Sequence, residues 1–367
     1  MTPSPERLLE EAIALARRGA GEVEPNPRVG AIALAGERVV GRGWHRRWGG
    51  PHAEVEALEA AREPADTLVV TLEPCSTAGK TPPCTELILA RGIRRLVCGA
   101  VDPNPAHAGR GLEMLRRRGV AVEMAGEELA RACLEATGPF AEWIGGERPW
   151  VVAKWAMSLD GRIATATGAS RWITPPECRL LAHRLRASVD AVMVGLGTVQ
   201  ADDPALTVRH CQGPDPLPVV VDPGGDLPRE AKLVAGAARR GLVLLVEEGR
   251  VPRGAAAAWR AAGVELIALT RPLDLAGALG ELHRRRGVRR LLVEGGGILN
   301  GSLHDAGLID QVEVHLGPLL IGGEGAPSPL KGRGAATIAE AGAMEIVRQE
   351  AVGSGVRLVA LPAGKRA

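Results

Sequence analysis

The residues best suited to chemistry are one histidine, one glutamate and two cysteines in the first quarter of the chain. His52 and Glu54 sit in Pro51-His52-Ala53-Glu54, Cys75 closes Glu73-Pro74-Cys75, and Cys84 closes Pro82-Pro83-Cys84 after eight intervening residues. One imidazole and two thiolates can hold a zinc ion and leave its fourth position to water. Zinc lowers the pKa of such water toward neutrality, and Glu54, close by without being a ligand, can take that proton and pass it to a leaving amine. A purely structural zinc site needs another ligand and gives Glu54 no role.

Secondary-structure elements must bring these groups together. Ser4-Pro5 reads as an N-cap with proline at the first helical position, and Leu8, Leu9, Ala12, Ile13, Leu15 and Ala16 recur at helical spacing to about Gly19. Strands expected at 29–35 and 38–44 form a hairpin around Gly36-Glu37 that delivers Trp44-His45. A helix opening at Pro51 carries His52 and Glu54 in its first turn, a strand at 67–72 runs toward Cys75, and Pro83-Cys84 opens another helix to Ala90. The three ligands therefore fall where strands end or helices begin, where amide donors and the positive helix end favour thiolate. A strand at 94–100, the turn Asp102-Pro103-Asn104-Pro105, a helix at 111–118, a strand at 120–124 and a helix at 127–136 complete an α/β layered unit. Gly138 to Pro149 is the expected boundary, giving domains 1–145 and 147–367.

The second half alternates again, with no internal repeat. Strands are expected at 151–156, 191–195, 217–222, 242–247, 264–269, 290–294 and 311–316, helices at 176–187, 255–262 and 273–286, and a closing hairpin at 344–350 and 355–361. The dinucleotide fingerprint is missing, because Gly195-Leu196-Gly197-Thr198-Val199-Gln200 has no third glycine where one should fall. Gly295-Gly296-Gly297 follows a strand and precedes a helix start, which can aim backbone amides at phosphate or serve only as a turn.

Composition narrows the partners. A formal charge of +2, one phenylalanine and no tyrosine give neither the basic field nor the stacking surface of a nucleic-acid binder. The six cysteines lack the spacing of a disulfide framework, which fits a reducing cytoplasm. Glu6, Glu10 and Glu11 near the N-terminus do not suit a secretory signal, and no apolar run approaches the roughly 20 residues that span a bilayer. No nucleic acid and no membrane are expected as partners, and a homo-oligomer is the default.

The eight-residue gap between the cysteines departs from the two-residue gap of the general deaminase signature. His52-Ala53-Glu54, Thr71 to Ser76, Gly79-Lys80-Thr81-Pro82-Pro83-Cys84 and Asp102-Pro103-Asn104-Pro105 closely resemble the pyrimidine deaminase domain of the bifunctional riboflavin-biosynthesis deaminase/reductase family, over about residues 7 to 137. The resemblance implies a cytidine-deaminase-like three-layer domain with one zinc ion on His52, Cys75 and Cys84. Its substrate is a phosphoribosylated diaminopyrimidinone whose ring amine is hydrolysed. Asn26, His45, Lys80, Asp102 and Asn104 match its pocket positions, with Lys80 suited to the phosphate. Thr77 stands where the family usually has histidine, and His107 is a candidate to compensate.

Residues 154–164, 170–174, 202–209 and Glu294-Gly295-Gly296-Gly297 resemble the same family's reductase domain, dihydrofolate-reductase-like in fold, over about 150 to 362. That resemblance implies NADPH as hydride donor and the ribosyl group of the deaminated product as acceptor. It marks Ala156, Trp172, Thr198, Asp202, Gly295, Gly296 and Gly297 for the cofactor, and Ser170, Arg186, Leu206, Arg209 and Glu294 for the substrate. The two arginines suit a bidentate grip on phosphate, and Lys154 and Asp203 are candidates for proton handling. Two rival readings are an RNA base deaminase with a C-terminal binding module and a non-catalytic zinc and nucleotide sensor. The first fits poorly with the scarcity of aromatic residues.

Overall fold

The computed structural model describes residues 4–77, 82–140, 144 and 146–363, and these divide into two compact units at Gly146 and Glu147. In the first unit, helix α1 (Pro5–Arg17) starts at the Ser4 N-cap, whose hydroxyl accepts the Arg7 amide at 3.4 Å, and buries the apolar face set by Leu8, Leu9, Ala12, Ile13, Leu15 and Ala16. Strands β1 (Gly30–Ala35) and β2 (Arg38–Trp44) form the antiparallel hairpin. Helix α2 (Ala53–Glu59), β3 (Thr67–Leu72), α3 (Cys84–Ala90), β4 (Arg95–Ala100), α4 (Arg110–Arg117), β5 (Ala121–Met124) and α5 (Glu127–Ala136) follow.

The sheet order is β2-β1-β3-β4-β5, with β1 antiparallel to both neighbours and β3, β4 and β5 mutually parallel. Every residue of β3 is buried, as expected of a central strand covered on both faces. Its carboxyl end therefore opens on the edge of the core, where ligand sites of open α/β sheets form. Helix α2 approaches β2 so closely that a Cβ on Gly43 would lie 2.3 Å from the Ala57 nitrogen and 2.5 Å from the Ala53 oxygen. Glycine at that position lets the first turn of α2 settle against the sheet.

The second unit holds β6 (Trp150–Met157), α6 (Pro176–Ala187), β7 (Ala191–Gly195), α7 (Leu196–Asp202), β8 (Leu217–Val221), α8 (Lys232–Ala235), α9 (Ala237–Arg240) and β9 (Leu242–Glu247). It continues with α10 (Arg253–Ala261), β10 (Val264–Leu269), α11 (Leu275–Arg286), β11 (Arg290–Val293), α12 (Gly297–Asp305), β12 (Gln311–Leu316), β13 (Met344–Val352) and β14 (Gly355–Pro362). The order β10-β9-β8-β7-β11-β6-β12-β14-β13 makes a largely parallel sheet that ends in the antiparallel hairpin β13–β14. Its core is aliphatic, built from residues such as Met193, Val243, Leu291 and Leu303.

Expected and observed strands agree to within a residue or two, and the differences have local causes. Strand β8 stops at Val221 because the Asp222 carboxylate accepts the Gly225 and Leu227 amides, at 3.0 and 2.8 Å, and turns the chain. Helices α7, α8 and α9 were not among the expected elements. Among the described residues no helix is long and apolar enough to cross a membrane. Replacing Gly43 with alanine should lower unfolding free energy by about 1–3 kcal/mol through overpacking and loosen metal retention by displacing α2. Equilibrium denaturation and metal analysis check both effects.

Candidate functional site

The fold gathers the first-unit candidates around the start of α2. His52 is the N-cap of α2, Cys75 lies in the loop leaving β3, and Cys84 is the first residue of α3. His52 Nδ1 lies 3.2 Å from Cys84 Sγ and 3.6 Å from Cys75 Sγ, and the three ligand atoms fall within 4.8 Å of one another. The Cys84 amide donates to Cys75 Sγ at 3.3 Å, which is the helix-start support for thiolate that the spacing implied. Hydrogen bonding from Cys84 draws Cys75 down to about 4, while Cys84 is pushed up by the same contact and by burial.

Glu54, in the first turn of α2, is 3 % exposed and its carboxylate contacts the Cys84 thiol. Burial raises its pKa, which suits a base that must also return its proton. One nitrogen and two sulfur donors converging, with no fourth protein ligand among the described residues, fit a catalytic zinc ion. His45 stacks edge-on to His52 with ring centroids 5.4 Å apart. Its Nδ1 donates to the Pro51 carbonyl at 2.8 Å, leaving Nε2 to accept from the Asn26 amide at 3.5 Å. Burial holds His45 down at about 4, so it is neutral across the physiological range.

Asp102 and Asn104 form a turn beside this cluster. Asp102 accepts the Asn104 amide at 2.8 Å, and the Asn104 side-chain oxygen accepts the Ala106 amide at 3.0 Å, so both side chains shape the loop. His107 Nδ1 stands 3.5 Å from the Thr77 hydroxyl, so the two residues are neighbours in the fold. Lys80 lies outside the described residues. Sequence reasoning missed Glu73, read there only as part of the ligand motif. Its buried carboxylate accepts the amides of Asp102 at 3.2 Å and of Gly109 and Gly111 at 2.8 Å, tying the Asp102 loop to the strand that delivers Cys75.

Two cavities of the second unit share Asp202. The larger, about 570 Å³, is lined by Thr198, Asp202, Gly296 and Gly297 from the cofactor candidates, and also by Ser170. A Cβ on Gly197 would meet nothing within 4 Å, and one on Gly296 would reach only the Thr198 hydroxyl at 3.8 Å. The backbone there lies open at the start of the nine-residue helix α12, an arrangement suited to a dinucleotide phosphate. Gly295 instead faces Leu299, at 2.8 Å from its ideal Cβ. Ala156 sits on β6 opposite His315 of β12, and Trp172 is 64 % exposed with the Arg179 guanidinium 4.2 Å from its ring centroid.

The smaller cavity, about 280 Å³, is lined by Arg186, Leu206, Arg209, Asp202 and Asp203 among others. Arg186 Nε donates to Glu294 at 3.0 Å and its Nη1 to the Thr207 carbonyl at 3.1 Å. Burial works against ionisation of Glu294, but the Arg186 and Lys154 charges outweigh it and hold the carboxyl below its ordinary value. Glu294 Oε1 is buried without a hydrogen-bond partner, an acceptor suited to a substrate hydroxyl. Asp203 and Lys154 sit apart in role. The Asp203 carboxylate is held by Lys232 at the cavity wall, whereas Lys154 lies on β6 in register with Glu313 of β12.

Residues 3–100 match the cytidine and deoxycytidylate deaminase zinc-binding region, and residues 149–358 match the RibD C-terminal domain. The class is therefore a zinc-binding, cytidine-deaminase-like unit joined to a dihydrofolate-reductase-like reductase unit. The riboflavin biosynthesis protein RibD of Aquifex aeolicus is 39% identical over 85% of this chain and 86% of its own length. That of Escherichia coli is 36% identical over 87% and 89%. Among solved structures, Acinetobacter baumannii RibD is 31% identical, covering 98% of this chain and 99% of its own, with a TM-score of 0.68. A Thermotoga maritima diaminohydroxyphosphoribosylaminopyrimidine deaminase/5-amino-6-(5-phosphoribosylamino)uracil reductase is 33% identical with the same coverage and a TM-score of 0.65. The chain belongs to the RibD family of bifunctional deaminase/reductases of riboflavin biosynthesis.

Exchanging Glu294 for glutamine should leave the Arg186 guanidinium without its counter-charge. Stability of the second unit should fall by about 1.5–3 kcal/mol, the range for hydrogen bonds to charged groups. Denaturant unfolding followed with metal content should show that loss with the first unit's metal unchanged.

Proposed function

We propose that the chain hydrolyses the ring amine of 2,5-diamino-6-(5-phosphoribosylamino)pyrimidin-4-one to a carbonyl, then reduces the ribosyl group of the product to ribityl with NADPH. The observation that carries this reading is the convergence of His52, Cys75 and Cys84 beside the buried carboxylate of Glu54. These three residues would hold one zinc ion, which when bound supplies an acidified water. Glu54 accepts a proton from the attacking water and delivers it to the departing amine, so ammonia leaves and the base is regenerated. Asn26 and neutral His45 orient the ring, Asp102 and Asn104 line its far side, and Lys80 meets the phosphate.

In the second unit, NADPH when bound supplies the hydride. Ala156, Trp172, Thr198, Asp202 and the Gly295 to Gly297 turn would hold it, supported by the open backbone at Gly197 and Gly296. Ser170, Arg186, Leu206, Arg209 and Glu294 bind the ribosyl phosphate end. Lys154, whose charge reaches Glu294, handles the proton released as the ribose ring opens, with Asp203 as the second proton-handling group. A cytoplasmic homo-oligomer is the working form, supported by the strongly exposed Ile338 and Ile346 near the outer strand of the second sheet.

The variant Glu54→Gln should keep its zinc and lose ammonia release by at least about 100-fold, within the usual range for a positioned acid–base group. NADPH oxidation with supplied deaminated intermediate should persist. Loss of both activities in a folded, zinc-loaded variant would contradict separate sites.

A further inference from the structure

The smaller cavity of the second unit is lined by four cations, Arg171, Arg186, Arg209 and Lys232, against two carboxylates, Asp202 and Asp203. Their existing commitments differ. Arg186 spends Nε and Nη2 on Glu294 and Nη1 on the Thr207 carbonyl, so three of its five N–H donors are already engaged. Arg171 leans on Asp202 at 3.7 Å. Arg209 makes only a 3.5 Å contact from Nη1 to the Thr207 hydroxyl, while its backbone amide is anchored on His183 Nδ1 at 3.1 Å. Arg186 therefore brings only part of its fork to a phosphate, and the two-arginine grip leaves room for a third cation.

Lys232 is placed to supply it. Its backbone amide donates to Asp203 Oδ1 at 2.9 Å, and its ammonium reaches Asp203 Oδ2 and the Asp203 carbonyl, each at 3.2 Å. The amide contact fixes the start of α8 against the cavity wall, whereas the ammonium rides on a flexible stem and is 63 % exposed. Asp203 itself adopts a left-handed backbone (φ 39°) that β-carbon sterics disfavour, and Leu206 does the same (φ 50°). Arg240 holds this strained loop by donating to the Ala205 and Leu206 carbonyls, at 2.6 and 3.3 Å. The wall that carries Asp203 and Lys232 is thereby fixed, and the ammonium is the part that can swing.

We propose that Lys232 is a substrate-binding and specificity-determining residue of the reductase unit, pairing with Arg209 on the substrate's phosphate and parked on Asp203 when no phosphate is present. This rests on the reading of the second unit as a reductase of a phosphoribosyl compound. An exposed surface ion pair contributes little by itself, so moving the ammonium from carboxylate to phosphate loses little and gains a charge-assisted contact.

The test uses the full chain with NADPH and two acceptors, the deaminated phosphoribosylaminouracil and its dephosphorylated counterpart. For the wild-type chain, preference for the phosphorylated acceptor is expected. In Lys232→Ala that preference in kcat/KM should fall about tenfold or more, the loss of one charge-assisted hydrogen bond. The change should lie in KM, with kcat on the phosphorylated acceptor within about twofold, the pattern of uniform binding lost. Lys232→Arg should restore most of the preference. An equal fall on both acceptors, or a change confined to kcat, would overturn the assignment of Lys232 alone. Failure of the wild-type chain to oxidise NADPH with either acceptor would overturn the reductase reading beneath it.

Discussion

The first unit depends on one buried carboxylate that is neither ligand nor base. Glu73 follows the fully buried strand β3, and its three backbone acceptor contacts tie the Asp102 to Gly111 loop to the strand end that presents Cys75. A buried carboxylate must be hydrogen-bonded to be tolerated, and loop amides satisfy it only if the loop adopts one path. The requirement to satisfy Glu73 therefore sets the geometry of the metal cluster and the substrate-side turn together. The second unit uses a related device. Glu294 follows the central strand β11 and organises Arg186, which in turn holds the Thr207 carbonyl of the cavity loop.

Most of the architecture was legible in the sequence because parallel strands buried on both faces are continuous apolar runs, as in 67–72 and 242–247. The metal set was legible for a different reason. Its ligands sit at element ends whose spacing survives without knowledge of the fold, so His52, Cys75 and Cys84 could be named from residue type and spacing. Glu73 and Lys232 were not legible in these roles. The first acts through backbone amides that carry no sequence signal. The second is a lone lysine after a loop, brought to its cavity only by the crossover from β8 to β9.

The arginine pair shows how residues of one type can carry different commitments in one cavity. Arg186 and Arg209 both line the smaller cavity, but the near-buried Glu294 takes Nε and Nη2 of Arg186 and the Thr207 carbonyl takes Nη1. Burial of Glu294 makes that pairing obligatory, since its desolvated charge has to be balanced nearby. Only the three-dimensional arrangement reveals how far each cation is already engaged. The RibD C-terminal domain likewise removes the RNA-deaminase alternative, because it supplies a reductase where that reading required a nucleic-acid module.

The central claim is that one chain carries out two consecutive steps in a fixed order, deamination before reduction. The most direct measurement follows ammonia release and NADPH absorbance together after mixing the purified chain with the diaminopyrimidinone substrate. The account predicts that ammonia appears first, that NADPH is consumed after a lag to one equivalent per ammonia, and that ammonia release continues when NADPH is omitted. Consumption of NADPH from the starting compound with no ammonia released would contradict it.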